Sequence, residues 1–485
     1  MLFIQSNTLA VSTDEGERLR LLEALAAGGH RPLIRAARRR SLELLLAGRG
    51  DAAFVERAAA EVERRYSARR EMEGGAAYTP GELFGAGDGV LFLVFGAEEG
   101  LSAGVIYNVE TAGPLSTLER FCRDVSAALL KVRGAGDAGE FEAHPPEGFP
   151  VWKTRADTSP QGLARFIAVQ PTDFDVVAKC RGGGRELARA CELMEQHPVR
   201  LFLRRVQEMR REGYSPRRLF AEASTSNGVS VERLLEAGLL EREVRISCRK
   251  SGHALFDLPT PDSLAAITIS KAKCSLCAAP VADEVVEETI NPTRLAVSLL
   301  EDGGWLNNRV YNIVRSLGVP DSEIASGPTS SHGESYLAAD VCGNSFLFVT
   351  RDGDLTPAFS RRVVETVSET EATHLVAVVN GAVEDEGRMR LYEFAWRRAR
   401  DGQDLDMSIV EGLAGARAEI ERAFERAVHR GLARRLFPLD AALGLSTSNF
   451  VRAWFKVANA EAARRRADGN LLVPHFAELD ERVAS

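Results

Sequence analysis

Cys248-Arg-Lys-Ser-Gly-His253 and Cys274-Ser-Leu-Cys277, twenty residues apart, decide how this chain is read. Three of its seven cysteines and one of its eight histidines fall within these thirty residues. Soft thiolate and imidazole donors at knuckle spacing suit a tetrahedral metal site. Four protein ligands leave no open position for a substrate. The pattern therefore predicts a structural Zn²⁺ held by Cys248, His253, Cys274 and Cys277. The stretch between the two pairs is too thin for a hydrophobic core and needs such a clip.

Upstream, helical periodicity covers 199–211, a second helix opens at Pro216, and a third spans 229–237. Gly238 is placed to cap the third helix, and Glu241-Arg-Glu-Val-Arg-Ile-Ser247 alternates as a strand does. Three helices, the stretch Leu234-Leu-Glu-Ala-Gly-Leu-Leu-Glu-Arg242 and a strand resemble the winged-helix family. That resemblance implies contact with nucleic acid. The third helix offers only Arg233, beside Glu232 and Glu236. Residues 199–253 nevertheless carry twelve Arg/Lys against seven Asp/Glu. Phosphate contacts need such an excess, and the candidates are Arg204, Arg205, Arg210, Arg211, Arg217, Arg218 and Arg249.

Cys-x₃-Gly-His and Cys-x-x-Cys-x-x-Pro resemble the two knuckles of a zinc ribbon, a family that docks onto nucleic acid or neighbouring domains. Acidic residues 283–288 are read as the exit from that ribbon.

Downstream, helix, strand, strand, helix, strand follow in order. The strands are Ser335-Tyr-Leu-Ala-Ala-Asp-Val341, Ser345-Phe-Leu-Phe-Val-Thr350 and His374-Leu-Val-Ala-Val-Val379, with a Gly343-Asn344 turn and Thr356 as a helix N-cap. This order resembles the restriction-endonuclease-like (PD-(D/E)xK, Mrr-type) nucleases, whose acid and acid-x-Lys hold Mg²⁺ and activate water. The first acid maps to Asp340, with Glu334 upstream. The acid-x-Lys maps to Val349-Thr350-Arg351. Valine cannot ligate Mg²⁺, and arginine does not accept a proton. The resemblance thus implies the fold in a degenerate copy. Asp352 and Asp354 lie just beyond the strand and replace the missing acid if the register shifts.

The rest of the chain frames these parts. The fold class is multidomain α+β: an N-terminal α/β domain (1–132), a connecting α/β segment (133–196), the winged helix (197–247), the zinc ribbon (248–288), the nuclease-like domain (289–400) and a helical tail (401–485). In the first domain, helices are expected over 14–27, 31–47 and 52–70, and strands over 89–95 and 104–109. The glycine-rich turn Cys180-Arg-Gly-Gly-Gly-Arg185 lacks dinucleotide-binding spacing, and no phosphate loop occurs. In the tail, Phe437-Pro-Leu-Asp-Ala-Ala-Leu-Gly444 is read as a helix break.

The 485 residues carry a net charge of −8, so nucleic acid can be met only by a local basic patch. No run of eighteen apolar residues and no secretory signal are read, and the scattered cysteines fit reduced thiols in the cytoplasm.

Three functions remain open. The first is a zinc-binding, nucleic-acid-associated scaffold contacting DNA or RNA with an inactive nuclease-like domain. Such assemblies recur in prokaryotic antiviral defence and DNA-processing systems with several protein partners. The second is a Mg²⁺-dependent DNA endonuclease using Asp340 with Asp352 or Asp354. The third is a protein-binding subunit without nucleic-acid contact.

Overall fold

The computed structural model describes residues 2–46, 51, 53–58, 61, 80–96, 100–108, 111–134, 149–154, 184–211, 229–250, 254–258, 263, 273–281, 285–301, 303–327, 334–443 and 446–471. It is a mixed α/β protein with three sheets among these residues. Two compact units divide it: Met1–Asp157 with Phe424–Ser485, and Thr158–Ala423. The helix expected over 52–70, the turn after Cys180 and the helix from Pro216 lie largely or wholly outside the described residues.

The first unit is built on an antiparallel sheet ordered β2-β3-β4-β5-β1-β6. These strands are β1 (Leu2–Leu9), β2 (Arg31–Pro32), β3 (Gly81–Ala86), β4 (Gly89–Phe95), β5 (Leu101–Asn108) and β6 (Lys153–Thr154). β4 is buried along its whole length. β1, which the sequence pattern does not announce, pairs with β5 from Leu2↔Asn108 to Leu9↔Leu101. Helix α1 (Glu15–Ala27) starts in a capping box between Asp14 and Glu17, so two amides at its N-terminus are satisfied locally. α2 covers Leu33–Leu46. α3 (Pro114–Val132) buries Leu118, Phe121, Cys122, Val125 and Leu129 in the same core as Leu21, Leu25, Phe84 and Leu93.

Inside this core sits one carboxyl group. Glu82 of β3 is 2% exposed. It accepts the Ile34 amide at 2.7 Å and its neighbour Leu83 at 2.9 Å, and so caps the start of α2. Burial pushes its carboxyl up to about 7, against the pull of those amides and of Arg35.

In the second unit, α4 (Gly184–Met194), α5 (His197–Arg211) and α6 (Val231–Glu236) precede a three-stranded antiparallel sheet ordered β8-β7-β9. β7 is Leu240–Ser247, β8 Ala254–Leu258 and β9 Val285–Pro292. Gly238 follows α6 with φ +68, a left-handed turn that costs glycine nothing, and Leu239 returns its amide to the Leu234 carbonyl.

The acidic stretch expected to leave the ribbon instead returns as β9, pairing Ser247↔Val285 through Leu240↔Pro292. The expected boundary at residue 288 therefore falls inside a strand. Its first half alternates half-buried Val285 and Glu287 with exposed Val286 and Glu288, Thr289 and Ile290 are buried, and Glu288 lies beside Arg242 of β7 at 3.6 Å. Acids on an exposed sheet face do not disqualify a strand.

α7 (Arg294–Glu301) and α8 (Gly304–Ser316) lead into the third sheet, ordered β10-β11-β12-β13-β14. β10 (Ile324–Ser326), β11 (Glu334–Val341) and β12 (Asn344–Arg351) form an antiparallel meander. β13 (His374–Val379) and β14 (Asp406–Glu411) then run parallel to β12. α9 (Pro357–Thr370) opens on Thr356, whose hydroxyl accepts the Phe359 amide, and α10 (Asp385–Arg400) connects β13 to β14.

The expected helix-strand-strand-helix-strand order is present, with a strand added at each edge. The hairpin turn is Cys342-Gly343, both at positive φ, one residue earlier than expected. The tail is not wholly helical, because Asp406–Glu411 completes this sheet. Six residues of that length carry too little periodicity to separate strand from helix.

α11 (Ala416–Leu443) belongs to the first unit from residue 424, as does α12 (Thr447–Leu471). The expected break after Phe437 does not occur. Pro438 sits within α11, where the buried stripe Leu432, Leu436 and Leu439 carries the helix onward.

Glu82 has a measurable consequence. Its folded pKa lies above the unfolded value, so the folded state keeps a proton that the unfolded chain has lost. Its contribution is present below about pH 4.5 and falls as pH rises toward 7, at about 1.4 kcal/mol per pH unit for one proton. Urea unfolding of the first unit between pH 4.5 and 7.5 is expected to show that decline, and Glu82→Gln to flatten it. An unchanged slope in the variant would assign the decline elsewhere.

Candidate functional site

β7 ends at Ser247, and Cys248 follows immediately, 1% exposed. The second knuckle is closed by its own backbone. The Cys274 amide donates to the Ala279 carbonyl and the Ala278 amide to the Cys274 carbonyl, both at 2.9 Å, with Ala278 at φ +59. Lys273 and Pro280 form an isolated antiparallel bridge beneath it. This folding brings the sulfurs of Cys248, Cys274 and Cys277 within 4.8 Å of one another, a cluster that could hold a metal.

The Cys248 and Cys277 sulfurs are 3.5 Å apart. That is too long for a disulfide and close to the roughly 3.8 Å separating two thiolates on one tetrahedral Zn²⁺. His253 lies outside the described residues. Among the described residues, no other group of three His, Cys, Asp or Glu side chains converges in this way.

The surroundings of the cluster are cationic. Arg249, Lys250 and Lys273 are exposed beside it. Asp257 of β8, paired with Arg245, is engaged by it at 2.8 Å, and Glu287 of β9 pairs with Arg245 on its other side. Leu276, 70% exposed at the knuckle tip, and Phe256, 39% exposed on β8, add apolar surface. Of the arginines nominated from sequence, Arg249 belongs here. Lys250 and Lys273 were not nominated, although their place next to the clustered cysteines was the available signal.

The other nominated arginines are held differently. Arg204 of α5 donates to Asp352 at 2.9 Å, and Arg205 lies 3.5 Å from Glu208 on the same helix face. Arg211 is exposed. The side chain of Arg210 and the whole of Arg217 and Arg218 are outside the described residues.

At the third sheet, the register separates the nominated acids. Asp340 pairs with Ser345 at the turn end of the hairpin, where its Oδ1 accepts the Gly343 amide at 2.8 Å. Asp352 and Asp354 follow Arg351 at the opposite end. Six strand positions separate the two ends, about 20 Å. One metal ion cannot be shared across that distance, so the structure does not bring Asp340 together with Asp352 or Asp354.

Asp352 and Asp354 are occupied in holding the fold. The Asp352 carboxylate is 9% exposed. It accepts Asn380 at 2.9 Å, Arg204 at 2.9 Å and the Trp305 indole at 3.3 Å, with Arg200 at 3.5 Å. It thereby ties α5 and α8 to the ends of β12 and β13. Asp354 accepts the Ala382 amide at 2.7 Å, and Gly381 lets the two loops meet, since a Cβ there would lie 2.2 Å from Asp354.

The acid facing position 351 across the hairpin is Glu334, fully buried. Its Oε1 accepts Arg351 at 3.2 Å and Arg362 of α9 at 2.8 Å through Nε and again through Nη2. The Tyr336 hydroxyl lies 3.3 Å from Oε2, and burial pushes that phenol up to about 12. Arg351 also stacks over Phe359 at 4.9 Å. Val349, at the position of a metal-binding acid in the nuclease resemblance, is fully buried in the apolar core. The carboxylate at this end is thus neutralised by two guanidinium groups of the chain itself.

A buried carboxylate so paired cannot lose its charge without stranding its partners. Glu334→Gln is expected to lower the stability of the second unit by about 3 kcal/mol in urea unfolding. A change below about 0.5 kcal/mol would show that both arginines resolvate freely.

Compared with protein-family models, curated proteins and solved structures, the chain matches none of them.

Proposed function

We propose that this chain is a nucleic-acid-associated scaffold. Cys248, His253, Cys274 and Cys277 hold a structural Zn²⁺, and the β10–β14 sheet is a nuclease-like fold without nuclease chemistry. It would act within a larger assembly of the defence or DNA-processing kind. The observation that carries this reading is the convergence of the three thiols at the end of the β7–β8 hairpin, with Arg249, Lys250 and Lys273 exposed next to them in the chain.

Three thiolates and one imidazole satisfy Zn²⁺ completely, so the metal would fix the hairpin rather than react. The cations that flank it supply a local positive field in a chain of net charge −8. Exposed Phe256 and Leu276 supply apolar surface on which bases can rest. The non-catalytic reading of the sheet is supported by the way its acids are spent. Glu334 is consumed by Arg351 and Arg362, Asp352 by Arg200, Arg204, Trp305 and Asn380, and one oxygen of Asp354 by a loop amide.

Metal analysis of the purified full chain is expected to give one zinc per chain. Cys274→Ser is expected to lose it with a lowered melting temperature. Fluorescence anisotropy with a duplex DNA and a single-stranded RNA is expected to show binding that weakens with salt. Lys250→Gln with Lys273→Gln should flatten the dependence of log K on log salt by about 2 for duplex DNA. A metal-free protein with intact thiols would remove the zinc assignment. Failure of both probes to bind at low salt would remove the nucleic-acid assignment.

A further inference from the structure

α10 has two apolar faces. Gly387 and Leu391 are buried, and Phe394 and Ala395 pack on the sheet core beside them. At about 100° per residue, Met389, Tyr392 and Trp396 fall together on nearly the opposite side of the helix. They are 56%, 51% and 64% exposed. A surface helix ordinarily carries charge on the face turned away from its core. Methionine, tyrosine and tryptophan are residue types that concentrate in protein interfaces.

The order of residues along this stripe narrows the occupant. Met389 and Trp396 lie equally far from the midpoint between Tyr392 and Glu393. So do Asp385 and Arg400, which end the same stripe. Asp385 is 95% exposed, and the Arg400 guanidinium lies 5.2 Å from the Trp396 ring centre. One end of the stripe is acidic and the other basic; its middle is aromatic, with exposed Glu393 beside Tyr392 met by Arg397 of the same helix at 4.0 Å. A helix with this pattern complements itself when turned end for end.

We propose that α10 is the two-fold contact of a homodimer, packed antiparallel against α10 of a second copy. Met389 of each chain meets Trp396 of the other, and the two Tyr392 side chains meet near the axis. Asp385 of each chain faces Arg400 of the other. Such a contact is isologous and closes on itself. The central aromatic residues carry the affinity, and the terminal charges fix the antiparallel sense.

Sedimentation velocity of the full chain over a range of concentrations tests this. Dimers are expected at micromolar concentration. Trp396→Glu is expected to weaken association about a hundredfold or more while leaving the far-ultraviolet circular dichroism and melting temperature unchanged. Asp385→Arg and Arg400→Asp should each weaken it, and the double exchange should associate more tightly than either single variant. A wild-type monomer at every concentration overturns the proposal. So does a dimer that Trp396→Glu leaves intact, or a double exchange no better than the single variants.

Discussion

A carboxylate taken out of water must be met by donors, and this requirement governs how several elements join. Glu82, Glu334 and Asp352 are each at most 9% exposed, yet each is surrounded differently. Glu82 accepts backbone amides, and burial outweighs them and Arg35 and drives it toward its neutral form. Glu334 meets two guanidinium groups. Asp352 meets arginine, indole and carboxamide together. The cost of desolvation makes each pairing obligatory, so strands and helices that supply the donors cannot drift from the acids that need them.

The same requirement gives physical content to the nuclease-like resemblance. A metal-dependent hydrolase needs carboxylate oxygens that are open to a cation. Here the acids at the Glu334 end of the β11–β12 hairpin are closed by the chain's own positive charge or by its amides. Arg351 and Arg362 supply the positive charge there, and Arg351 is anchored on the Phe359 ring. At the Glu334 end the sheet carries an internal salt cluster that ties β11, β12 and α9 together.

Some of this could be read from residues alone. The cysteine spacing could be read because metal ligation constrains side-chain type and separation together. The Leu234 to Gly238 stretch announced its turn because a left-handed residue after a helix favours glycine. β12 and β13 were legible as apolar runs between turn signals. β9 was not, since its paired Val285-Val286 and Glu287-Glu288 break the period-two pattern and read as an acidic linker. β14 escaped because six residues beside a long helical pattern carry little periodicity of their own. The Glu334 cluster was illegible for another reason. Arg362 lies on a helix 28 residues further along, and only the fold reveals that pairing.

The return of β9 to β7 has a consequence for how the molecule forms. Ser247 and Val285 are direct neighbours in the sheet although the whole cysteine segment lies between them. Bringing distant ends together spends chain entropy before any strand pairing rewards it. Drawing Cys248 to Cys274 and Cys277 first divides that detour into two shorter closures. Holding the three thiols together therefore shortens the loop that β9 must close to reach β7.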